Sequence, residues 1–155
     1  MAKSNDAIRG LSLFIGDVRN CSNKEQEDKV VQTEMAKIRA KFLKGNLQAY
    51  DRRKYIWKLI YAHILGYDVD FGHDVAVSLI NCARLQEKVT GYIAIGIMLD
   101  EKSDANIFVN CMDTIKQDLT CGNEVREALA LGTLGNMAPP TVAQEIAPAV
   151  IHKCL

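Results

Sequence analysis

Ile107-Phe-Val-Asn-Cys-Met-Asp-Thr-Ile-Lys-Gln-Asp-Leu119 sets Ile107, Cys111, Ile115 and Leu119 four residues apart, with Asn110, Asp113, Lys116 and Gln117 on other faces. Apolar residues at that interval fall on one side of an α-helix. Val31, Met35, Ile38 and Phe42 follow a 4-3-4 spacing, and Ile56, Leu59, Ile60, His63 and Ile64 form a third stripe. No run alternates polar and apolar residues, so no strand is expected. The only prolines are Pro139, Pro140 and Pro148, so nothing before residue 139 interrupts a helix in this way.

Start and stop signals divide the chain into about eight helices, with rough spans 6–20, 23–44, 51–65, 73–82, 86–100, 104–119, 123–136 and 141–154. Ser22-Asn-Lys-Glu25 and Thr141-Val-Ala-Gln144 read as capping boxes. Gly45, Gly66 and Gly122 read as helix stops or turns. Ile93-Ala-Ile-Gly96 recurs as Leu129-Ala-Leu-Gly132, 36 residues on, and the preceding helices around Leu79 and Ile115 keep that offset. Small residues at matched positions let helices approach closely. The fold expected is all-α: a right-handed α-solenoid of stacked antiparallel helix pairs, of the HEAT or armadillo kind. Residues 1–155 are expected to form one such segment, the N-terminal piece of a longer protein.

The 155 residues carry no net formal charge, yet the charge is strongly polarised. Residues 1–58 hold 13 Lys/Arg and 7 Asp/Glu, whereas residues 59–155 hold 6 and 12. Lys37, Arg39, Lys41, Lys44, Arg52, Arg53, Lys54 and Lys58 crowd into one stretch against the single acid Asp51. Such an end can meet a polyanion. Lys41 and Lys44 close one helix and Arg52, Arg53 and Lys54 open the next, so one turn gathers them. At a helix start, cations oppose the dipole, and an anion would relieve this and accept the free amides. Tyr50 adds a hydroxyl. Aromatics make up only 6% of the chain and no nucleic-acid module is present, so no nucleic acid is expected as a partner. A compact polyphosphorylated headgroup fits better.

Other chemistry is poorly supported. His63, His73 and His152 are scattered, and G-x-S-x-G, H-E-x-x-H, P-loop and G-x-G-x-x-G motifs are all missing. A Cys82–His73 nucleophile pair is the residual enzyme reading. Asp68, Asp70 and Asp74 lack calcium-loop spacing, and Asp70 or Asp74 is expected to cap the next helix. Cys21, Cys82, Cys111, Cys121 and Cys154 are odd in number without C-x-x-C pairs, so reduced thiols, mostly buried, are expected, with no metal and no cofactor. The polar start has no secretory h-region, and the longest apolar stretch, Ile56 to Leu65, is broken by Lys58 and His63. Any membrane contact is therefore expected to be peripheral.

An ordered series of motifs resembles the large adaptins of clathrin adaptor complexes over essentially the whole length. It comprises Arg9-Gly-Leu, Ile15-Gly-Asp-Val-Arg-Asn-Cys21, Ala36-Lys-Ile-Arg39, Lys41-Phe42, Tyr50-Asp-Arg-Arg-Lys-Tyr55, Leu65-Gly-Tyr-Asp-Val-Asp-Phe-Gly-His73, Thr90-Gly-Tyr92 and Ile115-Lys-Gln-Asp-Leu119. The opening and the basic triplet are most similar to alpha-adaptins. Leu99-Asp-Glu101 and Leu131-Gly-Thr-Leu-Gly-Asn-Met137 lean toward gamma-adaptins, and the later hallmarks are shared.

The resemblance implies a non-enzymatic trunk segment that works with beta-type, mu and sigma subunits. It implies clathrin-mediated endocytosis on the cytosolic face of the plasma membrane, in coated pits, with clathrin reached through the assembled complex. It carries binding of phosphatidylinositol 4,5-bisphosphate to Arg9, Lys41, Tyr50, Arg52, Arg53 and Lys54. Lys44 joins them beside a loop one residue shorter than the family's. It also implies that Arg19, beside the sigma subunit, receives the acidic residue of acidic dileucine cargo tails. The alternatives are a gamma-adaptin-type subunit working with an Arf-family GTPase, and a general helical scaffold binding acidic peptides.

Overall fold

The computed structural model describes residues 6–99, 105–137, 144, 146–148, 150 and 151. Among them the helices with defined bounds are α1 (Asp6–Arg19), α2 (Lys24–Lys44), α3 (Ala49–Ile64), α4 (His73–Ile80), α5 (Leu85–Met98), α6 (Ala105–Leu119) and α7 (Glu124–Met137). Residues 144, 146–148, 150 and 151 are also helical, within the expected eighth span. No strand occurs among the described residues. The chain is all-α, as the periodicity predicts, and falls into two compact units, 1–72 and 73–155.

In the first unit α1, α2 and α3 pack on one another. Phe14 and Val18 meet Val31, Met35 and Ile38 of α2 and Ile56, Leu59 and Ile60 of α3 in a buried core. Phe14 stands edge-on to Tyr61, ring centroids 5.8 Å apart. The third stripe ends earlier than its spacing suggests: Ile64 is 65% exposed, because the helix gives way there to the turn at Gly66. The segment after α3 then returns to the core, burying Val69. At Gly72, φ is +90°, and a Cβ would stand 2.8 Å from Leu59 Cδ1 and 3.0 Å from Phe42 Cε2. Only glycine meets both demands.

The α2 cap lies one residue later than the sequence reading places it. Asn23, not Ser22, is the N-cap; its Oδ1 accepts from the Gln26 amide at 2.9 Å, and Gln26 Oε1 accepts from the Ser22 amide at 3.0 Å. Gln26 thus reaches back one residue beyond the cap, and this amide pair takes the place of the serine and glutamate of the usual box. The Thr141 box lies outside the described residues. Gly45, Gly66 and Gly122 all have positive φ, as expected of stops and turns. Asp70 accepts from Arg39 Nη2 at 2.5 Å.

The second unit shows how helix pairs stack. The short connection after α4 makes α4 and α5 an antiparallel hairpin, and α6 and α7 form the next. First helix packs on first helix (α4 on α6) and second on second (α5 on α7). This arrangement produces the 36-residue repeat. Ala94 and Ala130, matched in the repeat, are both buried. Gly96 faces Asn136 and Thr133 of α7, whereas its counterpart Gly132 has nothing within 4 Å of where a Cβ would stand. The small residue there brings no described neighbour close.

A buried ion pair holds α4, α5 and α6 together. Lys88 Nζ donates to the Ile80 carbonyl at 2.6 Å and to Asp118 Oδ2, to which the Tyr92 hydroxyl also donates at 2.7 Å. The Lys88 and Asp118 side chains are 6% and 5% exposed. Burial first, and then the Asp118 carboxylate, push the Tyr92 phenol far above its ordinary range. At Gly91 a Cβ would lie 2.8 Å from Ile80 N and 2.9 Å from Ala76 O, so α4 rests directly on the backbone of α5.

The thiols differ from expectation. Of the four described, all free, only Cys111 is buried; Cys21 and Cys82 are half-buried and Cys121 is exposed. Cys21 and Cys121 follow α1 and α6 rather than lying on a core stripe. Burial pushes the Cys111 thiol up to about 12. Among the described residues no helix is long and apolar enough to cross a membrane.

Asp118→Asn strips the buried Lys88 of its carboxylate and should cost about 3–5 kcal/mol in urea unfolding, most of it recovered in Lys88→Met/Asp118→Leu. Gly91→Ala should cost about 1–3 kcal/mol by the same measurement, because backbone atoms must yield to the new methyl.

Candidate functional site

Each side chain in the basic region owes its place to the α2–α3 turn. Gly45 ends α2, its amide bonded to Phe42 O at 3.0 Å, and α3 starts at Ala49. Four residues, 45–48, therefore bring the last turn of α2, with Lys41 and Lys44, beside the first turns of α3. The triplet sits deeper in α3 than the sequence suggests. The first amides of α3, those of Ala49, Tyr50 and Asp51, have no intrahelical acceptor, while the Arg52 amide already bonds Gln48 O at 3.0 Å. Asp51 supplies an anion in the first turn. The expected relief of an unfavourable dipole by a ligand is thus largely met from within.

Lys54 is the best-anchored cation. Its Nζ donates to Asp51 Oδ1 at 2.7 Å and lies 4.6 Å from the centre of the Tyr55 ring and 5.6 Å from that of Tyr50. Burial pulls its pKa down, but the Asp51 hydrogen bond and the adjacent tyrosines outweigh this, so the net shift is upward and the ammonium stays charged. Its stem crosses α1 at Gly10, where a Cβ would be 3.1 Å from Lys54 Cδ. This gives the Arg9-Gly-Leu opening a physical reason.

Lys54 and Lys41 line a cleft of about 280 Å³, together with Lys37, Lys58, Tyr55, Glu34 and Gly10. Four lysines from two helices line it, with the Glu34 carboxylate among them; Lys54 is held by a second carboxylate, Asp51. Glu34 Oε1 accepts from Lys58 Nζ at 2.5 Å, and Glu34 Oε2 lies 3.6 Å from Lys37 Nζ. Lys58 is further covered by Phe14, 5.5 Å from its ring centre. A larger trough of about 650 Å³ shares Gly10, Glu34, Lys37 and Lys58 with the cleft and continues past Leu13 and Val30.

Of the residues expected to bind anions, Lys41 and Lys54 lie in the cleft. Arg9 is exposed beside Gly10, Lys44 is exposed at the end of α2, and Tyr50 is 37% exposed next to Lys54. Arg52 and Arg53 are half-buried in α3. Arg19 is exposed in the last turn of α1, about 15 Å along the helix from Arg9. It belongs to a different part of the surface. Arg39 turns away to Asp70 and stacks over Phe71, 4.2 Å from the ring centre.

Lys37, Lys58 and Glu34 were not expected at the site. Their signal was nevertheless present: Lys37 and Lys41, and Lys54 and Lys58, are spaced i, i+4 and so share helix faces. Elsewhere in the unit Tyr67 meets Asp28 and Glu27 at 2.7 and 2.8 Å and accepts from Lys24 at 3.0 Å. Desolvation and the Asp28 hydrogen bond push its phenol up to about 12.

Residues 27–155 match the adaptin N-terminal region family. The chain is 44% identical over 144 residues to AP-2 complex subunit alpha-1 of Arabidopsis thaliana, covering 92% of this chain and 14% of the relative. It is 40% identical over 145 residues to AP-2 complex subunit alpha-2 of Dictyostelium discoideum, covering 93% and 14%. It is 35% identical over 137 residues to AP-1 complex subunit gamma-like 2 of Mus musculus, covering 88% and 17%. The chain thus spans about one-seventh of the length of the alpha relatives.

Glu34→Gln leaves the nearly buried Lys58 ammonium without its carboxylate. It should lower the thermal unfolding midpoint by about 10 °C, and Glu34→Gln/Lys58→Met should restore most of the loss.

Proposed function

The chain belongs to the adaptin N-terminal family, and on that premise we propose that it is the N-terminal trunk segment of an alpha-type large subunit of a clathrin adaptor. In this reading residues 1–155 form one solenoid segment of a non-enzymatic subunit that assembles with beta-type, mu and sigma subunits. It acts in endocytosis, peripherally on the cytosolic face of the plasma membrane, in clathrin-coated pits. The greater identity to AP-2 alpha relatives than to the gamma-like relative favours the alpha-type subunit.

The observation that carries the lipid reading is the four-lysine cleft lined by α2 and α3. Its ligand is the headgroup of phosphatidylinositol 4,5-bisphosphate. Lys41 and Lys54 contact it inside the cleft; Arg9, Lys44, Tyr50, Arg52 and Arg53 support it from the rim. Lysine ammonium groups are compact point charges that suit phosphate oxygens approached from several directions. Each cation near an anionic membrane is worth about 1 kcal/mol, so one patch binds weakly. Several sites in an assembled complex add through effective concentration. Arg19, exposed on another part of α1, receives the acidic residue of an acidic dileucine cargo tail beside the sigma subunit.

Vesicle co-sedimentation tests the lipid reading. Phosphatidylcholine vesicles carrying phosphatidylinositol 4,5-bisphosphate should retain the chain at physiological salt. Lys41→Ala/Lys54→Ala should weaken binding by about 2 kcal/mol, roughly thirtyfold. Binding that follows total anionic charge regardless of lipid, and vanishes at physiological salt, would leave only a generic basic surface.

A further inference from the structure

We propose that Leu43 inserts into the bilayer when the basic α2–α3 tip engages phosphoinositide. This rests on the headgroup reading above and adds an apolar membrane anchor to it. Leu43 is 82% exposed, more than any other large apolar side chain among the described residues. It stands in the last turn of α2 between Lys41 and Lys44, both exposed. No acidic residue occurs between Glu34 and Asp51. The tip is thus basic and carries one protruding aliphatic side chain, with the half-exposed Tyr50 just across the turn.

The location decides what this leucine meets. Lys41 and Lys44 come from the last turn of α2, and Arg52, Arg53 and Lys54 from the first turns of α3. A membrane that reaches all of them lies across the helix ends, not along one side. Every side chain in the last turn of α2 is then near the interface, whichever way round the helix it points. Lysines with apolar stems and charged heads hold headgroups at that depth, and tyrosine favours the same layer. A leucine among them reaches the acyl boundary, as the apolar residues of interfacial helices do. The neighbouring Phe42 is half-buried and packs against Tyr55 and Phe71 with centroids 6.1 and 6.2 Å apart. Leu43 alone in that turn is left to the membrane.

The test measures two affinities of the 155-residue chain. One is for phosphatidylcholine vesicles carrying phosphatidylinositol 4,5-bisphosphate; the other is for soluble inositol hexakisphosphate. Leu43→Ser should lose about tenfold on vesicles and nothing on the soluble polyphosphate, while Leu43→Phe keeps both. Lys41→Ala/Lys54→Ala should lose both. Leu43→Gln, a better helix former, replaces the serine variant if circular dichroism shows that the latter unfolds early. Undiminished vesicle binding by the polar variant overturns the proposal, as does an equal loss on vesicles and soluble polyphosphate. If the unaltered chain binds neither probe, the headgroup reading itself fails and the insertion falls with it. Soluble binding lost only with the lysines, together with vesicle binding lost with Leu43, supports both.

Discussion

A lysine ammonium withdrawn from water needs a carboxylate, and each unit of this chain is built around one such need. In the second unit Lys88 of α5 reaches Asp118 of α6, and the Ile80 carbonyl at the end of α4 takes another of its protons. In the first, Lys58 of α3 reaches Glu34 of α2. Pairs of this kind add little net stability, because desolvation offsets attraction, but mispairing is costly. Their effect here is on register. Sliding α6 along the α4–α5 pair by one turn would strand both charges, whereas an apolar stripe would tolerate the shift far better. Leucine and isoleucine supply the driving force for stacking, and the buried charges select one alignment.

That constraint explains why the motifs that identify the family are so largely structural. Thr90-Gly-Tyr92 contains the glycine on which α4 rests and the tyrosine that bonds Asp118. Ile115-Lys-Gln-Asp-Leu119 supplies Asp118 itself, flanked by the buried Ile115 and Leu119. Leu65 to His73 contains the Tyr67 hydroxyl among α2 carboxylates, the buried Val69, the Asp70 partner of Arg39 and the tight Gly72. These residues are particular because packing leaves them few substitutes. Surface cations are under no such constraint, so a family can be recognised through its core while its binding surface varies.

The basic region shows the opposite relation between sequence and site. Counting charges overstates the free positive field, because Lys54 is tied to Asp51, Lys37 and Lys58 to Glu34, and Arg39 to Asp70. What survives is local: a cleft lined by four lysines, and a helix-hairpin tip bearing Lys41, Leu43 and Lys44. A ligand of several negative charges can compete with the internal carboxylates of Glu34 and Asp51. A lone monovalent anion gains little by doing so.

The sequence by itself determined the helices, most of their ends, the pairing implied by the 36-residue repeat and the family. The helices and their ends depend on periodicity, caps and glycine, read within a few residues of one another, and the repeat and the family on the order of such local motifs along the chain. It put Lys41 and Lys54 on adjoining helix ends for the same reason, since a single turn joins them. Only the tertiary structure decided that Lys37 and Lys58 share that cleft, that Arg39 leaves it, that Arg19 lies on another part of the surface and that Asn23 rather than Ser22 caps α2. It also revealed the Lys88–Asp118 pair, whose members are 30 residues apart. Which charges meet depends on how helices are rotated against one another, and that rotation is set by the summed packing of whole faces, which no local stretch contains.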